Sequence, residues 1–497
     1  MYLKGSNRRV STFTRPQAER QSEPAAEASH RLESILANPA LRPVLRWMTS
    51  SKGSGKCFFQ RLCESYDNPS LTGWERHKWA LPTWAINRLI RKARADRELL
   101  KLKLFHHPPT VKALALTARS IGRYGLMQPQ RFTAPLLVVW NITKACNLSC
   151  KHCYQDARHR PADDELSTEE KLRVVDDLGD ELVPFLAIAG GEPLMARDLF
   201  AVLRRCEERG IHATLATNGT LLTPQKCREL KAAGVKYVEI SLDSLDEHEH
   251  DQFRQQQGAW RRAVEGIRNS VAAGIRTGMA CCLTRANVQT AERMIEFAIE
   301  LGCSTFSHFN FIPAGRGRQY FEFDLLPEQR EALLLVLHRY LQEGRISIIS
   351  TAPQFGRSCI MNTAADGVFS TGHAGQGRGT KALVLARYLG GCGAGRCYCC
   401  IQPDGSVTPC VYISSPVVGN LRQQRLREMW DNQLFRVLQD REDRGDHCGV
   451  CDYRVYCGGC RARALAYTSD IQAGDPGCRY NAGCVQQVTP LVQLYSS

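Results

Sequence analysis

An α/β fold is what the sequence predicts, an open parallel barrel of six βα units with a helical region before it and a cysteine-rich domain after it, and three observations predict it. Strand-like and helix-like segments alternate six times between Pro135 and Glu343, separated by short Gly, Pro and Asn breaks. Ahead of that stretch the pattern is helical and strongly basic. Beyond Gly391, eleven of the 22 cysteines crowd into roughly the last fifth of the chain.

At 497 residues the chain is long for one compact core, so two or three domains are expected. Residues 1–34, rich in Arg, Ser, Glu and Ala, read as a disordered or loosely attached tail without the apolar stretch of a secretory signal. No uninterrupted apolar run of about 18 residues occurs, which argues against a membrane-spanning helix and for a cytoplasmic location.

Residues 35–131 form the helical region, with segments such as Leu81–Leu104 and Val111–Tyr124. Residues 1–131 carry 24 Lys and Arg against 9 Asp and Glu, while the remaining 41 basic and 41 acidic residues cancel. The whole basic excess of +15 therefore lies N-terminal. From Trp79 to Phe105 apolar Trp79, Trp84, Ile86 and Leu99 interleave with Arg88, Arg91, Lys92 and Lys101. Such a helix can lie peripherally on an anionic membrane surface, or it can pack on the next domain with its charges solvated. Nucleic acid is not expected, because no binding motif accompanies the charge.

Residues 132–345 hold the barrel. The expected strands are Leu136–Ile142, Phe185–Ala189, Ala213–Thr217, Tyr237–Leu242, Gly278–Leu283 and Phe306–Ile312, and the expected helices are Thr168–Leu182, Leu199–Arg209, Pro224–Ala233, Ala259–Ala273, Val288–Leu301 and Pro327–Glu343. Chemistry in such a barrel sits at the C-terminal strand ends. Residues 346–391 read as a Gly-rich linker or lid, and residues 392–497 as the cysteine-dense domain.

Directly after the first strand comes Cys146-Asn-Leu-Ser-Cys150-Lys-His-Cys153-Tyr154. Three thiolates on one short loop can hold three irons of a [4Fe–4S] cube and leave the fourth open. Zinc is the alternative for three cysteines taken alone. This loop resembles the radical SAM superfamily, and the resemblance runs from about Pro135 to Leu341. By it, Cys146, Cys150 and Cys153 hold the catalytic cluster, and Gly190-Gly191-Glu192-Pro193 holds the amino group of S-adenosylmethionine. Asn218, Ser241 and Asp243 line the cofactor at later strand ends, with Ser241 and Asp243 near the ribose. Asn310-Phe311-Ile312-Pro313-Ala314-Gly315 resembles the segment beside the adenine, represented by Ile312, and Tyr154 flanks adenine or cluster. Arg254 is either near the cofactor carboxylate or in a surface ion pair.

The resemblance implies that one electron from the reduced cluster cleaves S-adenosylmethionine to methionine and a 5′-deoxyadenosyl radical, which removes hydrogen from an unactivated carbon. A reductant such as a flavodoxin or ferredoxin is the implied partner.

The last domain contains Cys392-x12-Gly405-x4-Cys410, then Cys448-x2-Cys451-x5-Cys457-x2-Cys460 and Cys478. It is similar to the SPASM extension of radical SAM enzymes, departing in the Cys457–Cys460 spacing of two residues where many members have three. By that resemblance Cys392, Cys397 or Cys399, Cys410 and Cys460 bind a first auxiliary [4Fe–4S] cluster, and Cys448, Cys451, Cys457 and Cys478 a second. Zinc ribbons are the alternative. Cys400 and Cys484 are spare, with a place as alternative ligands open to them, and Cys359 has a place near the active site open to it.

Auxiliary clusters imply net oxidation or coupling, so the enzyme is expected to be an oxidoreductase or transferase. A lipid chain or other membrane-associated substrate leads, motivated by the basic N-terminal region. A haem-type tetrapyrrole is the alternative to which the C-terminal motifs look closest. Peptide maturation and a non-catalytic electron carrier follow.

Overall fold

The computed structural model describes residues 33–481 apart from 51–54, 67, 69, 93–104, 106, 365 and 371–374. Seven strands run in parallel and in chain order: β1 (Leu137–Asn141), β2 (Phe185–Ala189), β3 (His212–Thr217), β4 (Tyr237–Ser241), β5 (Arg276–Leu283), β6 (Thr305–Asn310) and β7 (Ser347–Ser350). The first six match the expected strands to within two residues at nearly every end. The seventh extends the sheet beyond the expected six and pairs with β6 from Thr305–Ser347 onward.

The crossover helices start where the sequence offers caps. Ser167 accepts from Glu170 N while Glu170 reaches back to Ser167 N, opening Thr168–Asp180. Thr223 caps Pro224–Ala232, whose proline occupies a position needing no N–H, and Asp246 caps Glu247–Arg254. Apolar faces of these helices and the strand side chains facing them form one continuous core, with Val138, Trp140, Leu186, Ile188, Val238, Ile240 and Met279 fully enclosed.

At the other edge the sheet continues where a separate domain was expected. Strand β10 (Tyr398–Ile401) lies parallel to β1, with Val138 opposite Cys399 and Val139 opposite Cys400. It hairpins into β11 (Ser406–Thr408) through a turn at Gly405 in the left-handed region (φ +87°). The cysteine-rich region is thus built onto the barrel wall.

The stretch expected as a linker or lid is more ordered than that. It contains strands β8 (Val368–Ser370) and β9 (Gln376–Arg378), paired antiparallel, and a helix, Gly379–Leu389.

The N-terminal region is helical as expected, with helices Leu41–Thr49, Phe58–Ser65, Gly73–Lys92 and Pro108–Tyr124. The last packs on the barrel: Ala115 and Leu116 meet Phe132, Leu182 and Cys397, Arg119 pairs with Glu181 at 3.1 Å, and Lys112 donates to Gly179 O at 3.0 Å. The expected helix Leu81–Leu104 is seen to Lys92, and its remainder lies outside the described residues. Trp79 is buried, whereas Trp47, Trp74, Leu81 and Trp84 are exposed. No helix among the described residues is long and apolar enough to cross a membrane.

Candidate active site

The loop after β1 is gripped from several sides. Cys146 N donates to Arg158 O (2.6 Å), Lys151 N to Phe253 O (3.0 Å), and Arg316 N to Cys153 O (2.9 Å). The Arg316 guanidinium adds Nε to Cys150 O at 3.1 Å. This bracing turns Cys146, Cys150 and Cys153 into one cavity of about 1000 Å³, its solvent-open mouth included.

Burial pushes the Cys146 thiol up to about 12, and Glu192, Cys150 and Cys153 press the same way. Cys150 is also raised by burial, against the pull of Arg254. Thiols crowded together out of water ionise only against a bound cation, so the donor set fits iron. Residues on the same loop leave no fourth cysteine in the cavity lining besides Cys282 across on β5.

The Gly190-Gly191 backbone forms part of the cavity wall, and no larger residue fits there. Gly190 has φ +132°, and a Cβ on Gly191 would lie 2.7 Å from Lys144 O and closer still to Ala145 O. Gly191 N and Glu192 N bond Thr143 O and Ala145 O, both at 2.7 Å, fastening β2 to the cysteine loop.

Glu192 is fully enclosed. Its carboxylate accepts from Thr217 Oγ1 (2.7 Å) and Asn218 N (2.9 Å), both of residues lining the cavity, and from Leu194 N (3.1 Å), tying β2 to β3. Burial raises its pKa, and those three donors oppose the rise. Pro193 lies off the cavity, opening the turn Pro193–Met195.

Asn218, Ser241, Asp243, Arg254 and Ile312 all line the cavity, together with Tyr154. Arg254 is not in a surface pair. Its Nη2 meets Asp243 Oδ2 at 2.6 Å where both are nearly enclosed, and its Nη1 lies 3.8 Å from Cys150 Sγ. Burial alone would raise Asp243, but Arg254, backed by His152 and His250, holds the carboxyl below its usual range. Tyr154 donates to Asn141 Oδ1 at 3.2 Å and meets the Tyr412 ring edge-on, centroids 5.3 Å apart.

Several cavity residues went unnoticed in the sequence. His152 stacks on Phe253 at 4.1 Å and 3°. Glu239, half-buried and with its carboxyl raised by burial, stands two residues before Ser241 on the same strand face. A carboxylate mid-strand in Tyr-Val-Glu-Ile-Ser was the available signal. Cys282 and Tyr412 also line the cavity, beside Asn310 of the segment already singled out. Cys359, by contrast, sits in the main core away from the cavity.

The second auxiliary set is brought together: Cys448, Cys451, Cys457 and Cys478 line one small cavity with Arg357. The first set is brought together in part. Cys410 has Cys392, Cys460 and Cys400 as electrostatic neighbours. Cys397 instead packs with Cys57, Leu116 and Phe132, and Cys399 faces the barrel core. On β10 side chains alternate, so Tyr398 and Cys400 share the face that Cys399 cannot reach. Cys484 lies outside the described residues.

Buried arginines surround these thiols. Arg396, Arg441, Arg444 and Arg461 hydrogen-bond to backbone carbonyls, for example Arg441 Nη2 to Cys392 O at 3.0 Å, and none has a carboxylate partner among the described residues. Guanidinium groups enclosed without carboxylates fit anionic thiolate-bound clusters beside them.

Fold and site together define an iron–sulfur enzyme that uses S-adenosylmethionine. A family model of the radical SAM superfamily matches residues 140–298, and one of the SPASM iron–sulfur cluster-binding domain matches residues 392–452. The chain is 34% identical over 353 residues to an AdoMet-dependent heme synthase of Methanosarcina barkeri, a match covering 70% of this chain and 98% of that protein. It is 30% identical to a pre-heme d1 synthase of Dinoroseobacter shibae, covering 73% and 91%, and 28% identical to mycofactocin maturase of Mycobacterium tuberculosis, covering 69% and 83%. Streptococcus suis SuiB bound to S-adenosylmethionine shares the fold, with TM-score 0.60, 17% identity and coverage of 82% and 90%. The chain belongs to the radical SAM superfamily, in its SPASM-bearing branch, and its cofactors are [4Fe–4S] clusters and S-adenosylmethionine.

Proposed function

We propose that this enzyme oxidises a side chain of a haem-type tetrapyrrole. The observation that carries the reading is the match to AdoMet-dependent heme synthases over nearly their whole length. It moves the tetrapyrrole ahead of the lipid substrate that the N-terminal charge suggested, while peptide maturation keeps the support of the more distant maturases.

In this reading Cys146, Cys150 and Cys153 hold the catalytic cluster. Cys392, Cys400, Cys410 and Cys460 hold the first auxiliary cluster, and Cys448, Cys451, Cys457 and Cys478 the second. When bound, the cluster and S-adenosylmethionine supply a 5′-deoxyadenosyl radical that takes a hydrogen atom from the substrate. The chain's own residues shape the event. Asp243 and Arg254 fix the charge beside Cys150, Asn218 and Ser241 offer polar contacts to the cofactor, and Gly190-Gly191 lets it approach the backbone. Glu192 locks the strand ends behind them. Tyr154 and Tyr412, in edge-on contact, line the cavity, and Tyr412 also neighbours Cys410 and Cys460, so the auxiliary cluster those cysteines would hold would be placed to accept the electron left by oxidation of the substrate.

The test is anaerobic reconstitution followed by incubation with S-adenosylmethionine, dithionite and iron-coproporphyrin III. The expected result is 5′-deoxyadenosine formed in step with a mass change in the porphyrin. Porphyrin that returns unaltered, with 5′-deoxyadenosine no higher than in its absence, would overturn the reading.

The N-terminal helices support a separate reading of where the enzyme works, namely against an anionic membrane surface. Trp74 is 79% exposed and Leu81 73% on one basic helix. Full-length protein should be retained on anionic vesicles and lose that retention on W74A/L81A/W84A substitution; equal behaviour would remove the membrane reading without touching the substrate.

A further inference from the structure

The end of β6 carries an amide whose orientation is dictated by charge. Asn310 is 2% exposed and lines the active-site cavity. Its Oδ1 accepts from Arg463 Nη2 at 2.9 Å and from Arg330 Nε at 3.3 Å. The oxygen and nitrogen of an asparagine amide are often interchangeable, but two guanidinium donors tolerate only the oxygen. The Nδ2 must therefore point the other way.

The donors themselves cannot swing aside. Arg463 Nε bonds Asp324 Oδ2 at 2.9 Å and its Nη2 also reaches Phe311 O at 2.8 Å, while Arg330 Nη1 holds Gly477 O at 2.9 Å. Asp324 further accepts from Tyr467 at 2.9 Å. Arg330, Arg463 and Asp324 are all nearly inaccessible to solvent.

Against that rigid backing, Asn310 Nδ2 is buried with no hydrogen-bond partner among the described residues. A buried donor left unmade is costly and rare unless something binds it. We propose that Asn310 Nδ2 is a preset donor for a hydrogen-bond acceptor on the molecule that fills the cavity, either a ring nitrogen of S-adenosylmethionine or a carboxylate of the substrate. Arg463 and Arg330 are positioning residues for it. The inference rests on this cavity being where the cofactor and the proposed tetrapyrrole meet.

The experiment measures two affinities on the reconstituted full-length protein: S-adenosylmethionine by anaerobic equilibrium dialysis, and iron-coproporphyrin III by absorption titration. Asn310→Ala should weaken one of them about tenfold or more, the scale of one lost hydrogen bond to a buried partner. Whichever weakens identifies the source of the acceptor. Asn310→Asp keeps both arginine contacts, so it folds with the lattice intact, yet sets an oxygen where the donor stood; it should bind that same ligand more weakly still. Both ligands bound by either variant as tightly as by the natural chain would overturn the proposal. Loss of S-adenosylmethionine affinity in the variants, when porphyrin binds no form of the protein, would sustain the donor and sink the tetrapyrrole reading alone.

Discussion

Replacing Gly191 with alanine should disable the cysteine loop while leaving the barrel folded. The added Cβ would stand 2.6 Å from the Ala145 carbonyl carbon and 2.7 Å from Lys144 O, where ordinary contact begins near 3.4 Å. With Ala145 O closer still, the loop must retreat by at least about 0.8 Å, stretching the two 2.7 Å bonds from Gly191 N and Glu192 N to about 3.5 Å or beyond, past the limit of a hydrogen bond. At roughly 0.5–1.5 kcal/mol apiece the loss is about 1–3 kcal/mol, or about five- to 150-fold in the share of chains with the loop in place. Iron analysis and electron paramagnetic resonance on the anaerobically reconstituted protein should show one cluster depleted and the other two kept. Formation of 5′-deoxyadenosine should fall about fivefold or more. Gly317→Ala is the control, since its Cβ would meet nothing nearer than Phe311 Cε2 at 3.4 Å. If G191A and G317A retain equal iron and equal cleavage, the close approach of β2 to the loop is not what holds it.

Four further outcomes are expected. Cys400→Ser should cost iron and the signal of the first auxiliary cluster, whereas Cys397→Ser should cost neither, as an iron assay of both variants will show. Cys457→Ser should deplete the second auxiliary cluster yet leave slow uncoupled cleavage of S-adenosylmethionine, read as 5′-deoxyadenosine without product. Arg254→Met leaves Asp243 buried beside no cation and should destabilise the fold by about 3–5 kcal/mol in denaturant titration, with Asp243→Asn restoring part of the loss in the double variant. Burial brings Lys112 down from its ordinary 10.5 to about 8, so between those values the unfolded chain binds the extra proton and this residue's contribution to stability rises with pH. Lys112→Met should accordingly stabilise the protein at pH 7 by no more than roughly 3 kcal/mol, the gap narrowing from about pH 8 and closing only above 10.5; a pH-independent difference in melting temperature would exclude the mechanism.

What the sequence left open at these positions shares a cause. Cys397, Cys399 and Cys400 look alike in sequence, but a strand reverses its side chains at every residue, so the pairing of β10 with β1 decides which thiol meets Cys410. Nothing in the Gly-Gly-Glu run shows that Glu192 also accepts from Thr217 and Asn218 on the next strand. Arg254 could have been a surface cation, and the helix Glu247–Arg254 ends so as to drive it onto Asp243 instead.

What the sequence alone determined was local or periodic: six alternating βα units, a triplet of cysteines at the end of the first strand, glycines where β2 must touch the loop, and a second field of thiols. Those features depend on neighbours within a few residues, where spacing and side-chain chemistry suffice. Only the tertiary structure decided which thiols face one another, that the cysteine-rich region continues the barrel sheet, and that Asn310 is turned by Arg463, 153 residues away, toward an empty-handed donor's place in the cavity. Such choices are made by strand register and by the need to pair every buried charge, and both are properties of segments distant in the chain.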